Sequence, residues 1–290
     1  MDRARDLADW PLADHARSVR MRPHDWHVVE MGQGNTILML HGAGGSTHSW
    51  AGLMPLLAAD YHIVALDLPG QGFTRAGTKR RLSLDHMAQD VLSLLQDQGW
   101  RPDLIIGHSA GGALGLHLAS LLDHPSRVVG INAALEPFEG IAGWLFPTMA
   151  KMLALNPFTA MALTMGGQAL PRVRSLIGTT GSEVPDESLQ CYTKLFSDYA
   201  HVDSTLQMMA QWDVDLLTAR LFAQTTPTLL IAGAGDMAVP PAVSKRAAQT
   251  MPNAHYIELD RLGHLAHEEA PERIVSAIMN WVPGEAVRQD

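Results

Sequence analysis

The run Gly107-His108-Ser109-Ala110-Gly111-Gly112 constrains this chain more than any other segment. It follows the apolar stretch Leu104-Ile105-Ile106 and precedes the helix-forming segment Ala113 to Leu122. A strand that turns into a helix across one serine leaves little room between the two elements. Residues without a Cβ, two before and two and three after the serine, let strand and helix approach where a side chain would clash. The serine is then expected in a strained backbone conformation, with its hydroxyl raised above the end of a sheet.

The rest of the chain supplies that sheet. Short apolar runs alternate with longer helical patterns, which predicts a mostly parallel sheet covered by helices on both faces. The expected strands are 26–31, 36–40, 61–66, 104–106, 128–132, 228–232 and 255–259, and the expected helices are 49–59, 83–98, 113–122, 241–251 and 271–281. Buried parallel strands read as continuous leucine and β-branched runs, as these do. The alternation stops between residues 137 and 218, a methionine-rich stretch without a strand signal. It is expected to be a helical lid inserted between the strands 128–132 and 228–232. The core is then residues 1–136 and 219–290.

Composition narrows the function. A net charge of −9 argues against nucleic acid, whose phosphates require a basic face. The single cysteine, Cys191, excludes an internal disulfide framework and fits a reducing compartment. Residues 1–20 mix acids with arginines and have no apolar core of a secretory signal. Met152 to Leu170 carries no charge and is long enough to span a bilayer, but Asn156, Pro157 and Gly166-Gly167-Gln168 interrupt it. The expected location is therefore the cytoplasm, with peripheral membrane contact through the lid as a further option.

A serine hydroxyl needs a base to become a nucleophile, and the base needs a carboxylate to orient it. The elbow and the alternating pattern resemble the α/β-hydrolase superfamily, in which these groups follow the order serine, acid, histidine. Ser109 is the expected nucleophile, Asp236 the acid and His264 the base. Asp236 follows the strand 228–232 in Gly233-Ala234-Gly235-Asp236, and His264 follows the last strand in Leu262-Gly263-His264. The plainer alternatives are a turn or cap role for Asp236 and a surface position for His264. Glu136 is a competing acid and His267 a competing base. His264 and His267 lack a third ligand at metal-site spacing, so neither a metal nor a cofactor is expected.

The oxyanion hole is expected from the backbone N–H groups of Ala43, in His41-Gly42-Ala43-Gly44-Gly45, and of Ala110. Candidate substrate contacts are His41, Gly42, His108, Trp144, Phe146, Met149, Met208 and Val239, with His41 better suited to bracing its loop. Asp67, in Asp67-Leu68-Pro69-Gly70-Gln71-Gly72, is expected to close a turn. The apolar and sulfur-bearing residues of 137–218, including Met152, Phe158, Met161, Met165 and Met209, either pack the lid or roof an apolar cavity. Lys151, Arg172, Arg174 and Lys194 either meet ligand carboxylates or stay solvated.

Further segments resemble the magnesium-chelatase accessory protein family of bacteriochlorophyll biosynthesis (BchO type). They include Ser46-Thr47-His48-Ser49-Trp50, Asn132-Ala133-Ala134-Leu135, Gly178-Thr179-Thr180-Gly181-Ser182, Gln211-Trp212-Asp213 and Gly263-His264-Leu265-Ala266-His267-Glu268-Glu269. The resemblance runs from about residue 26 to residue 281. It implies a role near magnesium insertion into a porphyrin and functional association with magnesium chelatase. The chain has no G-x-x-x-x-G-K-[ST] loop and is not expected to be an ATP-driven subunit. Ser109 in place of aspartate disfavours haloalkane dehalogenase and epoxide hydrolase chemistry. Three readings follow: a serine hydrolase acting on an ester of a small molecule such as a porphyrin intermediate, a non-catalytic tetrapyrrole binder, or a general carboxylesterase or C–C bond hydrolase.

Overall fold

The computed structural model describes residues 1–136, 156, 158–164 and 169–285. Eight strands form one sheet in the order β1-β2-β4-β3-β5-β6-β7-β8. They are β1 (Ala16–Met21), β2 (His24–Met31), β3 (Thr36–Leu40), β4 (His62–Leu66), β5 (Pro102–His108), β6 (Arg127–Ile131), β7 (Thr228–Gly233) and β8 (Ala254–Leu259). β1 and β2 are antiparallel to their neighbours, and every pairing from β4 to β8 is parallel.

The described helices are α1 (Arg3–Asp6), α2 (Met54–Leu57), α3 (Leu84–Gln98), α4 (Ala110–Ala119), α5 (Thr159–Thr164), α6 (Ala169–Gly178), α7 (Asp186–Ser197), α8 (Tyr199–Gln211), α9 (Asp215–Arg220), α10 (Pro241–Thr250), α11 (Ala266–Glu269) and α12 (Pro271–Glu285). Helices α5 to α9 lie between β6 and β7 in the chain. Successive strand residues point to opposite faces, which divides the apolar side chains between two cores. Leu38 and Leu40 pack with α3 and α4 on one face, while Ile37 and Met39 pack with Trp50 and the Ile274–Ile278 side of α12 on the other.

Two expectations need correction. Strand β1 was not anticipated, because Ala-Arg-Ser-Val-Arg-Met buries only Val19 at the sheet edge. The expected helix at 49–59 is instead a 3-10 turn at Thr47–Trp50 followed by the single turn α2. Trp50, Leu53, Met54 and Leu57 are buried, but Pro55 lacks the N–H that a continuous helix would need at that position. No described helix is long and apolar enough to cross a membrane.

Candidate active site

The site forms where β5 ends. Ser109 has φ 51° and ψ −117°, a conformation that costs an ordinary residue about 1–3 kcal/mol. The glycines around it allow the turn. A Cβ on Gly107 would lie 2.2 Å from Gly111 O, one on Gly111 would lie 2.0 Å from Leu40 O, and one on Gly112 would lie 2.6 Å from Ala133 Cβ. Helix α4 therefore starts at Ala110, three residues earlier than its apolar pattern indicates. The Ser109 N–H donates to Ile131 O at 3.0 Å, and its carbonyl accepts from Gly112 N and Ala134 N. The elbow is thus locked to β6 and its following loop.

Asp236 and His264 meet although 28 residues separate them. His264 Nδ1 lies 2.8 Å from Asp236 Oδ2. The same carboxylate accepts from Ala238 N and Val239 N at 2.8 Å each, and from Asn132 Nδ2 at 2.6 Å. Four donors therefore fix its plane and leave the imidazole one orientation. Asn132 holds φ 48°, a left-handed value that asparagine tolerates better than most residues. The rival acid, Glu136, is occupied elsewhere, in a two-pronged pair with Arg246.

The histidine loop is fastened from several sides. The ring of His108, next to Ser109, lies 4.8 Å from that of His264, centroid to centroid, and its Nε2–H donates to His264 O at 2.9 Å. Neither the Ser109 hydroxyl nor His264 Nε2 makes a hydrogen bond among the described residues. Thr180 O accepts from both Met237 N and His264 N, so one carbonyl bridges the Asp236 and His264 loops. Ser182 Oγ accepts from Leu265 N at 2.8 Å. His267 is fully buried, with Nε2 2.7 Å from Ser49 Oγ, which matches a bracing role rather than that of a base open to a substrate. Glu268 accepts from Ser49, Ser188 and Tyr192, tying α7 to this loop.

Ala43 and Ala110 both line a cavity of about 620 Å³ together with Ser109. No acceptor among the described residues takes either N–H. Met208, Met209, Trp212 and Val214 form an apolar wall, and Arg80, His86, Asp213 and Asp215 bring charge and polarity to the lining. Met208 is thus where a substrate contact was expected. His41, Gly42, His108 and Val239 stand outside the lining of this cavity. His41 is buried, with Nδ1 donating to Gly42 O and Nε2 accepting from Leu68 N. Gly42 packs on His108 and Ser109, and the Val239 N–H donates to Asp236 Oδ1. Trp144, Phe146, Met149, Lys151, Met152 and Met165 lie outside the described residues. Asp67 closes its turn as expected, accepting from Thr47 N and Phe73 N. Arg174 pairs with Asp186, and the Lys194 ammonium sits 6.0 Å from the Trp10 ring. Among the described residues no group of three or more His, Cys, Asp or Glu could hold a metal ion.

The α/β-hydrolase family model matches residues 35–271. The chain belongs to the α/β-hydrolase fold family. It is 44% identical over 280 residues to the magnesium-chelatase 30 kDa subunit of Rhodobacter capsulatus, covering 96% of this chain and 98% of that protein. It is 29% identical to a Pseudomonas syringae protein provisionally named carbamate hydrolase RutD, covering 90% of this chain and 99% of that one. A crystal structure of an α/β-hydrolase fold protein from Burkholderia ambifaria superposes with a TM-score of 0.75 at 22% identity, covering 92% of this chain and 98% of that one.

Buried histidines surround this family core. Burial pushes the imidazoles of His27, His41, His48 and His108 down from the ordinary value, and takes His201 to about 4 and His267 to about 3. Each folded value lies below the unfolded value near 6.5, so the unfolded chain binds more protons. Their contribution to stability is complete above pH 6.5 and is lost as pH falls toward the folded values. Burial pushes the Glu268 and Glu269 carboxyls upward, which works in the opposite sense, but with fewer groups. The urea midpoint is expected to be lower at pH 5 than at pH 7. An unchanged or higher midpoint at pH 5 would contradict this balance.

Proposed function

We propose that this protein is a serine hydrolase that cleaves an ester or related acyl bond. Ser109 Oγ attacks the carbonyl carbon, while His264 Nε2 takes its proton. Asp236 holds the Nδ1–H of His264 and stabilises the imidazolium that forms. The Ala43 and Ala110 N–H groups receive the oxyanion. His264 then returns the proton to the leaving alkoxide, and water hydrolyses the acyl-enzyme by the same relay. Catalytic hydrogen bonds are commonly looser before substrate binds, and the Ser109–His264 bond is one that closes in the complex. Residues 137–218 act as a lid on a core formed by 1–136 and 219–290.

The observation that carries this reading is the Asp236–His264 hydrogen bond set beside a strained serine that opens on a cavity. The test is treatment of the folded protein with a fluorophosphonate, followed by mass analysis of tryptic peptides. The adduct is expected on the peptide carrying Ser109. A protein that stays unmodified, or that carries the adduct elsewhere, refutes the assignment.

The 44% identity to a magnesium-chelatase subunit supports placing the reaction near magnesium insertion in bacteriochlorophyll synthesis, with a porphyrin intermediate or its ester as substrate. The same identity favours a second reading, in which the cavity binds a tetrapyrrole without cleaving it. A porphyrin titration followed at the Soret band, with wild-type protein and a Ser109 variant, separates the two. Binding to both without turnover supports the binder, whereas turnover by the wild type alone supports the enzyme.

A further inference from the structure

Helix α8 presents one face to the catalytic loops, and its spacing is that of a single helical stripe: His201, Ser204, Thr205 and Met208. His201, Ser204 and Thr205 face backbone turns of the site, and Met208 faces the Gln71 side chain. The Nε2–H of His201 donates to Gly44 O at 3.2 Å, while its Nδ1 accepts from Gly72 N at 3.0 Å. A Cβ on Gly70 would meet Ser204 Oγ at 2.4 Å, and one on Gly44 would meet Thr205 Cγ2 at 3.7 Å. Met208 Sδ accepts from Gln71 Nε2 at 3.0 Å, and the amide oxygen of that same Gln71 accepts from Gly44 N at 2.7 Å. Gly44 is thus gripped at both its N–H and its carbonyl by groups connected to one helix. It has φ +79° and directly follows Ala43.

This arrangement links two places that the hydrolase reading treats separately. The far end of the stripe, Met208 with Met209 and Trp212 beyond it, walls the cavity. His201 at the near end holds the Gly44 carbonyl, and Met208 through Gln71 holds the Gly44 N–H, so the two peptide planes after Ala43, whose N–H is one proposed oxyanion donor, are both tied to the helix. Neither His201 nor Gln71 lines the cavity, and both are buried behind it.

We propose that His201 and Gln71 are positioning residues that couple the apolar wall on α8 to the oxyanion loop, and that the substrate is an ester with an extended apolar arm lying against Met208 and Trp212. The proposal rests on the serine-hydrolase reading. Seating the arm fixes α8, α8 fixes Gly44, and Gly44 sets the direction of the Ala43 N–H. Binding energy from a remote part of the substrate is then expressed in the transition state, as a higher kcat and not only a lower KM. Burial keeps the His201 ring neutral, so one ring nitrogen donates while the other accepts.

The test compares p-nitrophenyl acetate with p-nitrophenyl octanoate. Fluorophosphonate labelling of Ser109 and circular dichroism are run on every protein. For the wild type the longer ester is expected to have a kcat about tenfold higher as well as a lower KM. In Gln71→Met, which keeps the volume but loses both amide hydrogen bonds, the kcat ratio is expected to fall to about one while the KM difference remains. His201→Leu is expected to do the same. His201→Gln, which can still donate and accept, is expected to recover part of the ratio. A merely structural role would lower both esters equally and leave the ratio unchanged. The coupling is overturned if the wild-type ratio is one, or if the folded, labelled variants keep the wild-type ratio. Gln71→Met decides the matter if the His201 variants do not fold. A wild type that is not labelled at all overturns the hydrolase reading itself, a result distinct from loss of the coupling alone.

Discussion

Ser109→Ala is expected to lower ester turnover about a millionfold, the scale of loss seen when a serine protease loses its nucleophile. It is also expected to abolish fluorophosphonate labelling. The size follows from the chemistry, since no other hydroxyl occupies the elbow and the acyl-enzyme cannot form without one. Stability should change little in the destabilising direction. Alanine keeps the Cβ but accepts the same positive φ no more easily, and the lost hydroxyl makes no hydrogen bond among the described residues. Kinetics and a urea melt on one preparation therefore separate chemistry from folding. Residual turnover within tenfold of the wild type would mean that the reaction does not pass through Ser109.

Asp236→Asn is expected to cost about ten-thousandfold in kcat, as in a protease triad whose acid becomes an amide. The local geometry sharpens that expectation. The Asp236 carboxylate accepts from Ala238 N, Val239 N, Asn132 Nδ2 and His264 Nδ1. An asparagine offers one oxygen and one NH2 to those four donors. If the oxygen stays on the Ala238 and Val239 amides, the NH2 faces both Asn132 and His264. The imidazole must then accept at Nδ1 and carry its proton on Nε2, the nitrogen that has to take the serine proton. A drop of only a few-fold would move the acid role to Glu136, although Glu136 is already engaged by Arg246. The double variant Asp236→Asn with Glu136→Gln, compared with each single change, would measure any such sharing.

Much of this site was legible because its chemistry is tied to local turns. A nucleophile elbow needs glycine at fixed offsets from the serine, and Gly107, Gly111 and Gly112 face clashes that no larger residue could avoid. Asp67 was readable for the same reason, as the group that closes its own turn through Phe73 N. Asp236 and His264, the proposed acid and base, could be picked out because each lies in the loop after a strand, where an open α/β sheet collects functional groups.

The parts played by other contributors are not legible from their residue types. Gln71 looks like any turn residue until its amide is found between Gly44 and Met208, 137 residues away from Gln71. Thr180 acts through a carbonyl, which every residue possesses, so its type reveals nothing. Asn132 ends a strand without distinction, yet it supplies a donor to Asp236 from 104 positions earlier. His41 and His108, also candidates for substrate contact, each turn a ring nitrogen toward a backbone carbonyl, a placement that residue type alone does not reveal.

The amino-acid order alone settled the alternating architecture and the kind of turn that carries Ser109, because period, apolar run length and glycine placement act within a few residues. Only tertiary packing decided which histidine meets Asp236, which acid is already engaged by an arginine, and which groups fasten the loop after β3. Those outcomes depend on distances across the sheet and into the helices between β6 and β7, where desolvation and hydrogen-bond satisfaction select among side chains that look equivalent along the chain.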